Sequence, residues 1–183
     1  GDSADRTIST LLDMGYKCVT VSELAEAYGY EMEPGGQYYA FYLGTATPES
    51  HPELWTKIMN EFGPIRQTTK AYPEIHPSNA FIGNYLRMEL LSREGRSKQI
   101  LEENQSYYIP MARQTGTLWE NMTSTASCNH GFAAHMARVL YRDVLGVYEI
   151  SPTEKKVILR FTDSGLKQCK GSVPVGNESV DVD

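Results

Sequence analysis

Apolar residues in this chain repeat at three- and four-residue spacing as far as Val144, and at two-residue spacing beyond Gly146. That change of period limits the folds open to it, because a helix-period stretch cannot bury one face as a strand, nor the reverse. Helices first and strands last imply a mainly α region over residues 1–147 and a short antiparallel β segment over residues 148–183. The clearest alternation sets Val157, Leu159 and Phe161 against Ile158 and Arg160, and Asp163-Ser164-Gly165 reads as a turn into a partner strand over 166–173. Two or three strands do not make an independently stable sheet. The β segment is therefore expected to be the opening of a β domain that the chain does not complete.

Within the α region the stop and start signals are local. Ser50-His51-Pro52-Glu53 has the form of a capping box, with Leu54, Ile58, Met59 and Phe62 following at helical spacing until Gly63-Pro64. His76-Pro77-Ser78 is expected to open the strongest helix. Phe81, Tyr85 and Met88 form one of its stripes, Ile82, Leu86 and Leu90 the next, and Gly95 its C-terminal cap. Ser97 starts a helix carrying Ile100, Leu101, Tyr107 and Tyr108. Ser127 or Asn129 leads into a long one with Phe132, Met136, Val139, Leu140 and Val144. Upstream, Ile8, Leu11 and Leu12 suggest a short helix, and Glu23 to Tyr28 another; Gln37 to Leu43 is apolar but too short to separate helix from strand. Helical hairpins recurring at this pace suit an α/α toroid or solenoid.

Charge and motif content remove several function classes. A net charge of −6 with scattered basic residues argues against nucleic acid as a partner. No apolar run approaches the roughly 18 residues of a membrane span. Cys18, Cys128 and Cys169 lie far apart, and His51, His76, His130 and His135 lack ligand spacing, so no metal site is expected. The chain has neither a glycine-rich phosphate loop nor a Gly-x-Ser-x-Gly elbow, and no cofactor is expected.

Two segments remain chemically unusual: Thr115-Gly116-Thr117-Leu118-Trp119-Glu120-Asn121 and Ser127-Cys128-Asn129-His130-Gly131-Phe132. A Trp beside a Glu at a loop can set a flat apolar face next to a carboxylate, a pairing that suits a sugar. Asn129 and His130 add hydrogen-bonding groups directed at the same loop. Twelve tyrosines also suit sugar clefts or wet interfaces. The plainer reading of each is a solvated carboxylate, a helix cap and a half-buried helix face.

The stretch from Gln37 to Val147 resembles the C-terminal half of the (α/α)6 catalytic barrel of bacterial α-L-rhamnosidases. The resemblance is carried by Gly35-Gly36-Gln37-Tyr38-Tyr39-Ala40, Pro73-Glu74-Ile75-His76-Pro77-Ser78, Gly116-Thr117-Leu118-Trp119-Glu120 and Ser127-Cys128-Asn129-His130-Gly131-Phe132-Ala133. The run Leu140-Tyr141-Arg142-Asp143-Val144-Leu145-Gly146-Val147 extends it, and the tail from Lys155 looks like the first strands of the β-sandwich that follows that barrel. The resemblance implies a partial six-hairpin toroid belonging to an inverting hydrolase of terminal α-L-rhamnosides. It implies Glu120 as general base, His130 and Asn129 on the sugar hydroxyls, Trp119 in the pocket wall, and a carbohydrate as the partner. A bacterial protein, periplasmic or secreted rather than cytoplasmic, would fit. Asn121-Met122 departs from the Trp-Glu-Arg-Trp form of many members. The acidic motif that supplies the family's general acid is not found between Gly1 and Gly36. The chain is thus expected to hold half a site, to be inactive alone, and to self-associate through uncovered barrel faces. Two other readings stand beside this one: part of a different (α/α)6 carbohydrate-active enzyme, and a helical interaction module without chemistry.

Overall fold

The computed structural model describes residues 34–73 and 81–183. The expected helices before Glu33 and the opening at His76-Pro77-Ser78 lie outside the described residues. Among the described residues, five α-helices occupy the first part: α1 (Pro34–Leu43), α2 (Pro52–Glu61), α3 (Arg66–Thr69), α4 (Phe81–Arg93) and α5 (Ser97–Thr115). A sixth, α6 (His135–Val139), is preceded by a 3-10 turn (Gly131–Ala134) and followed by a π turn (Leu140–Val144). Two antiparallel hairpins close the chain: β1 (Val147–Ser151) with β2 (Lys156–Leu159), and β3 (Gly171–Val175) with β4 (Glu178–Val182). The protein is therefore mainly α with two small antiparallel sheets.

The helices form where the sequence supplies both an apolar face and a stop. Pro52 sits in the first turn of α2, where its missing N–H leaves nothing unsatisfied, and Ile58 and Met59 are fully buried below it. The expected capping box does not form, because the Ser50 hydroxyl is engaged with Thr47 and, at 2.8 Å, with His51 Nδ1. The Gln37 to Leu43 run is helix, and it buries Tyr38, Ala40 and Phe41. In α4 the stripe of Leu86 and Leu90 is buried as expected, together with Met88 and Leu91, while Ile82 is exposed. Gly95, at φ 66°, ends α4 as expected: its N–H donates to the Ser92 carbonyl, and that of Arg96 to Leu91.

These faces meet in one core made of Tyr38, Phe41, Ile58, Met59, Phe62, Leu86, Met88, Leu90, Leu91, Ile100 and Val139. Each fully buried aliphatic side chain contributes about 1.5–3 kcal/mol. A second cluster, Tyr107, Tyr108, Met111, Trp119 and Ala133, lies under the far end of α5.

The β segment differs from expectation in its pairing. Lys156–Leu159 is a strand, but it pairs backwards with Val147–Ser151, Val147 opposite Leu159 and Ser151 opposite Lys156. The expected partner over 166–173 is strand only from Gly171, and it pairs with β4 across a turn in which Gly176 has φ 65°. The segments either side of Val147 share buried charges. Asp143, with its side chain fully buried, accepts from Ser92 Oγ at 2.6 Å, Arg142 Nε at 2.8 Å and Arg160 Nη2 at 2.7 Å. Lys98 N–H also donates to the Asp163 carbonyl at 3.1 Å, which joins the exit of β2 to the start of α5.

Candidate functional site

The two unusual segments lie side by side. Glu120 N–H donates to the Ser127 carbonyl and His130 N–H to the Leu118 carbonyl, both at 2.8 Å, so Leu118–Glu120 runs antiparallel to Ser127–His130. Phe81 N–H, at the start of α4, donates to the Glu120 carbonyl at 2.8 Å and fixes this hairpin against the helices. Thr117 Oγ1 donates to the Cys128 carbonyl and closes its open end. Backbone pairing therefore holds Glu120 and His130 on neighbouring extended segments. Their side chains are half-buried and that of Asn129 is exposed. Glu120 Oε2 accepts weakly from Ser127 N–H at 3.3 Å.

Trp119 is placed differently from expectation. Its side chain is 4% exposed, packed with Tyr107, Tyr108, Met111 and Ala133, and its indole N–H donates to Thr115 Oγ1 at 2.7 Å. It offers no open ring face; it anchors the hairpin from beneath. An apolar ring of that size gains more from the second core than from a half-wet surface.

The exposed aromatic of the region is Phe132, at 75%. Sequence spacing puts it on the apolar stripe of a long helix, but here the chain winds as a 3-10 turn from Gly131 to Ala134, so its phase relative to Val139 is lost. The Phe132 ring stacks on Phe81 at 5.6 Å and 20°, and Phe81 lies 4.4 Å from the His130 ring. His130 Nε2 is buried and has no hydrogen-bond partner. Nothing in the sequence pattern singles out Phe81 or Phe132, whose spacing reads as core.

His135 stands behind this group. Its Nδ1 lies 3.2 Å from the Phe132 carbonyl, and its ring meets Tyr85 and Tyr108 edge-on at 5.3 and 6.4 Å. Burial holds its pKa below the ordinary value, outweighing the Phe132 carbonyl and Glu89, which raise it; Arg138 and Arg142 add to the lowering. His135 thus takes up a proton more readily in the unfolded chain than in the folded one. Stability is then lost as pH falls below about 6.5 toward the lowered folded value. In His135→Gln the fall of Tm between about pH 7.5 and about pH 5 is expected to be smaller than in the wild type. Thermal unfolding across that range checks it, and equal slopes would remove His135 as the cause.

Tyr107 and Tyr108 are buried, and burial pushes Tyr108 up to about 12 despite its bond from Asn84 Nδ2 at 3.0 Å. Both stay protonated at neutral pH, which does not favour the catalytic tyrosine that a lyase would need. Among the described residues no group of three or more His, Cys, Asp or Glu could hold a metal ion. A cleft of about 840 Å³, lined by Asn60, Ile65, Arg96, Gln99, Glu102 and Met122 among others, shares Met122 with the hairpin loop but does not include Glu120, Asn129 or His130.

Comparison of the chain with protein-family models, with curated proteins and with solved structures finds no match.

Proposed function

We propose that this chain carries the general-base side of an inverting glycoside hydrolase site of the α-L-rhamnosidase type, built on part of an (α/α)6 toroid. The observation that carries this reading is the pair of backbone-bonded loop segments that holds Glu120 and His130 next to each other, with the exposed Phe132 ring 6.0 Å from the His130 ring. Glu120 takes a proton from the attacking water, and His130 and Asn129 bind hydroxyls of the sugar. Trp119 acts from below, as the anchor that fixes the strand carrying Glu120. Inversion also needs a second carboxyl, roughly 6.5–9.5 Å from the first, to protonate the leaving oxygen. The family's pattern for that acid is not found between Gly1 and Gly36.

The test is a pair of measurements on the purified chain. Methyl α-L-rhamnoside is expected to bind, and an aryl α-L-rhamnoside is expected not to be hydrolysed above buffer. Turnover would put the acid inside the chain; absence of binding would overturn the reading. His130→Ala is expected to weaken that binding about tenfold, as loss of a hydrogen bond to a sugar hydroxyl would. In an active enzyme containing this chain it would raise KM more than it lowers kcat. A fall in kcat alone would instead assign His130 to proton transfer.

A further inference from the structure

Stacking on Phe81 uses one face of the Phe132 ring, and with three quarters of the side chain in solvent the other face is open. A lone exposed Phe is ordinary. This one is held from beneath by a second ring, and that ring also touches the hairpin: Phe81 donates its N–H to the Glu120 carbonyl and packs on His130. The apolar surface is therefore rigidly tied to polar groups. The His130 ring lies 6.0 Å from that of Phe132, and its Nε2 is buried without a partner. Asn129, adjacent in the chain, is exposed, and Glu120, bonded to Phe81 through its backbone, is half-buried. A ligand hydroxyl would supply the hydrogen-bond partner that His130 Nε2 lacks. An open apolar ring face with an imidazole at its side suits a pyranose, which is apolar on its C–H face and polar at its edge.

We propose that Phe132, backed by Phe81, is the stacking platform for the sugar, with His130 Nε2 taking one of its hydroxyls. The proposal rests on the glycosidase reading and moves the aromatic contact from Trp119, whose ring is enclosed, to Phe132. It also gives the 3-10 turn a purpose, since that turn directs the ring outward rather than into the core.

The experiment is an NMR titration of the 183-residue chain with methyl α-L-rhamnoside, repeated for Phe132→Ala and Phe132→Trp. Ring stacking predicts upfield shifts of the sugar C–H protons in the wild type. Phe132→Ala is expected to abolish those shifts and to weaken binding about tenfold, and Phe132→Trp to retain both. Because Phe132 is exposed, the Ala variant keeps its fold, checked by its amide spectrum. Binding that Phe132→Ala leaves unchanged would overturn the platform while the glycosidase reading stands. That includes the case in which the substitution only disperses a self-associated chain. No binding by the wild type would overturn both.

Discussion

Replacing Glu120 by Gln in an active enzyme containing this chain is expected to lower kcat about 10²–10⁴-fold, the usual contribution of a positioned general base. The substitution isolates the chemistry because little of the local structure depends on the charge. The hairpin is held through the Glu120 backbone, which pairs with Ser127 and Phe81, and the side chain's bond to Ser127 N–H can be kept by the amide oxygen of Gln. KM should change little, since the lost function operates in the transition state. The measurement is steady-state hydrolysis of an aryl α-L-rhamnoside, with thermal unfolding as control. Turnover near that of the wild type, with an unchanged Tm, would remove Glu120 from the mechanism.

The largest loss of stability is expected at Arg87. Its side chain is 2% exposed and grips both oxygens of Glu103, Nε to Oε2 at 2.5 Å and Nη2 to Oε1 at 2.6 Å. It also donates to the carbonyls of Ile58 at 2.7 Å and Met59 at 3.3 Å, at the end of α2. The guanidinium thus joins α2, α4 and α5. Gly63 permits this, because a Cβ there would stand 2.3 Å from Arg87 Nε. Arg87→Met leaves a largely buried carboxylate without its cation and the Ile58 carbonyl without its side-chain donor, while Gln99 Nε2 still donates to the Met59 carbonyl and Glu103 Oε1; it is expected to cost about 3–5 kcal/mol. For a domain of this size that is a fall in Tm of roughly 10 °C. Adding Glu103→Leu removes the stranded charge and should restore part of the loss. A single variant that melts with the wild type would mean that water reaches this pair.

What could be read from the sequence was whatever local spacing records. The Leu86 and Leu90 stripe, the stop at Gly95 and the Pro52 start depend on neighbours within a turn, and all three are found. The Ser50 cap failed because Thr47, three residues back, competes for the same hydroxyl. The second hairpin was missed because its strands carry Pro174, Glu178 and Asp181 and lack a continuous apolar face. The site divides in the same way. Glu120 and His130 stand side by side because the two chemically unusual loop segments also pair through their backbones. Which aromatic ring is buried and which is open depends on the second core and on a change of helical pitch. Neither leaves a trace in residue spacing. Buried charges such as Asp143 are equally silent, since Arg160 and Ser92 reach it from 17 and 51 residues away.

The π turn at Leu140–Val144, where Leu145 N–H reaches back to the Leu140 carbonyl, has a mechanical consequence. It accommodates one residue more than an α-helical turn. Removing that residue would let the α-helix run through and rotate everything before it by about 100° relative to Asp143, which is pinned by its ion pairs. Phe132 and His135 lie on the rotating side, while His130 is held by its backbone bond to Leu118. The wide turn works as a vernier, setting at a distance the direction in which the ring cluster faces while every residue of that cluster stays the same.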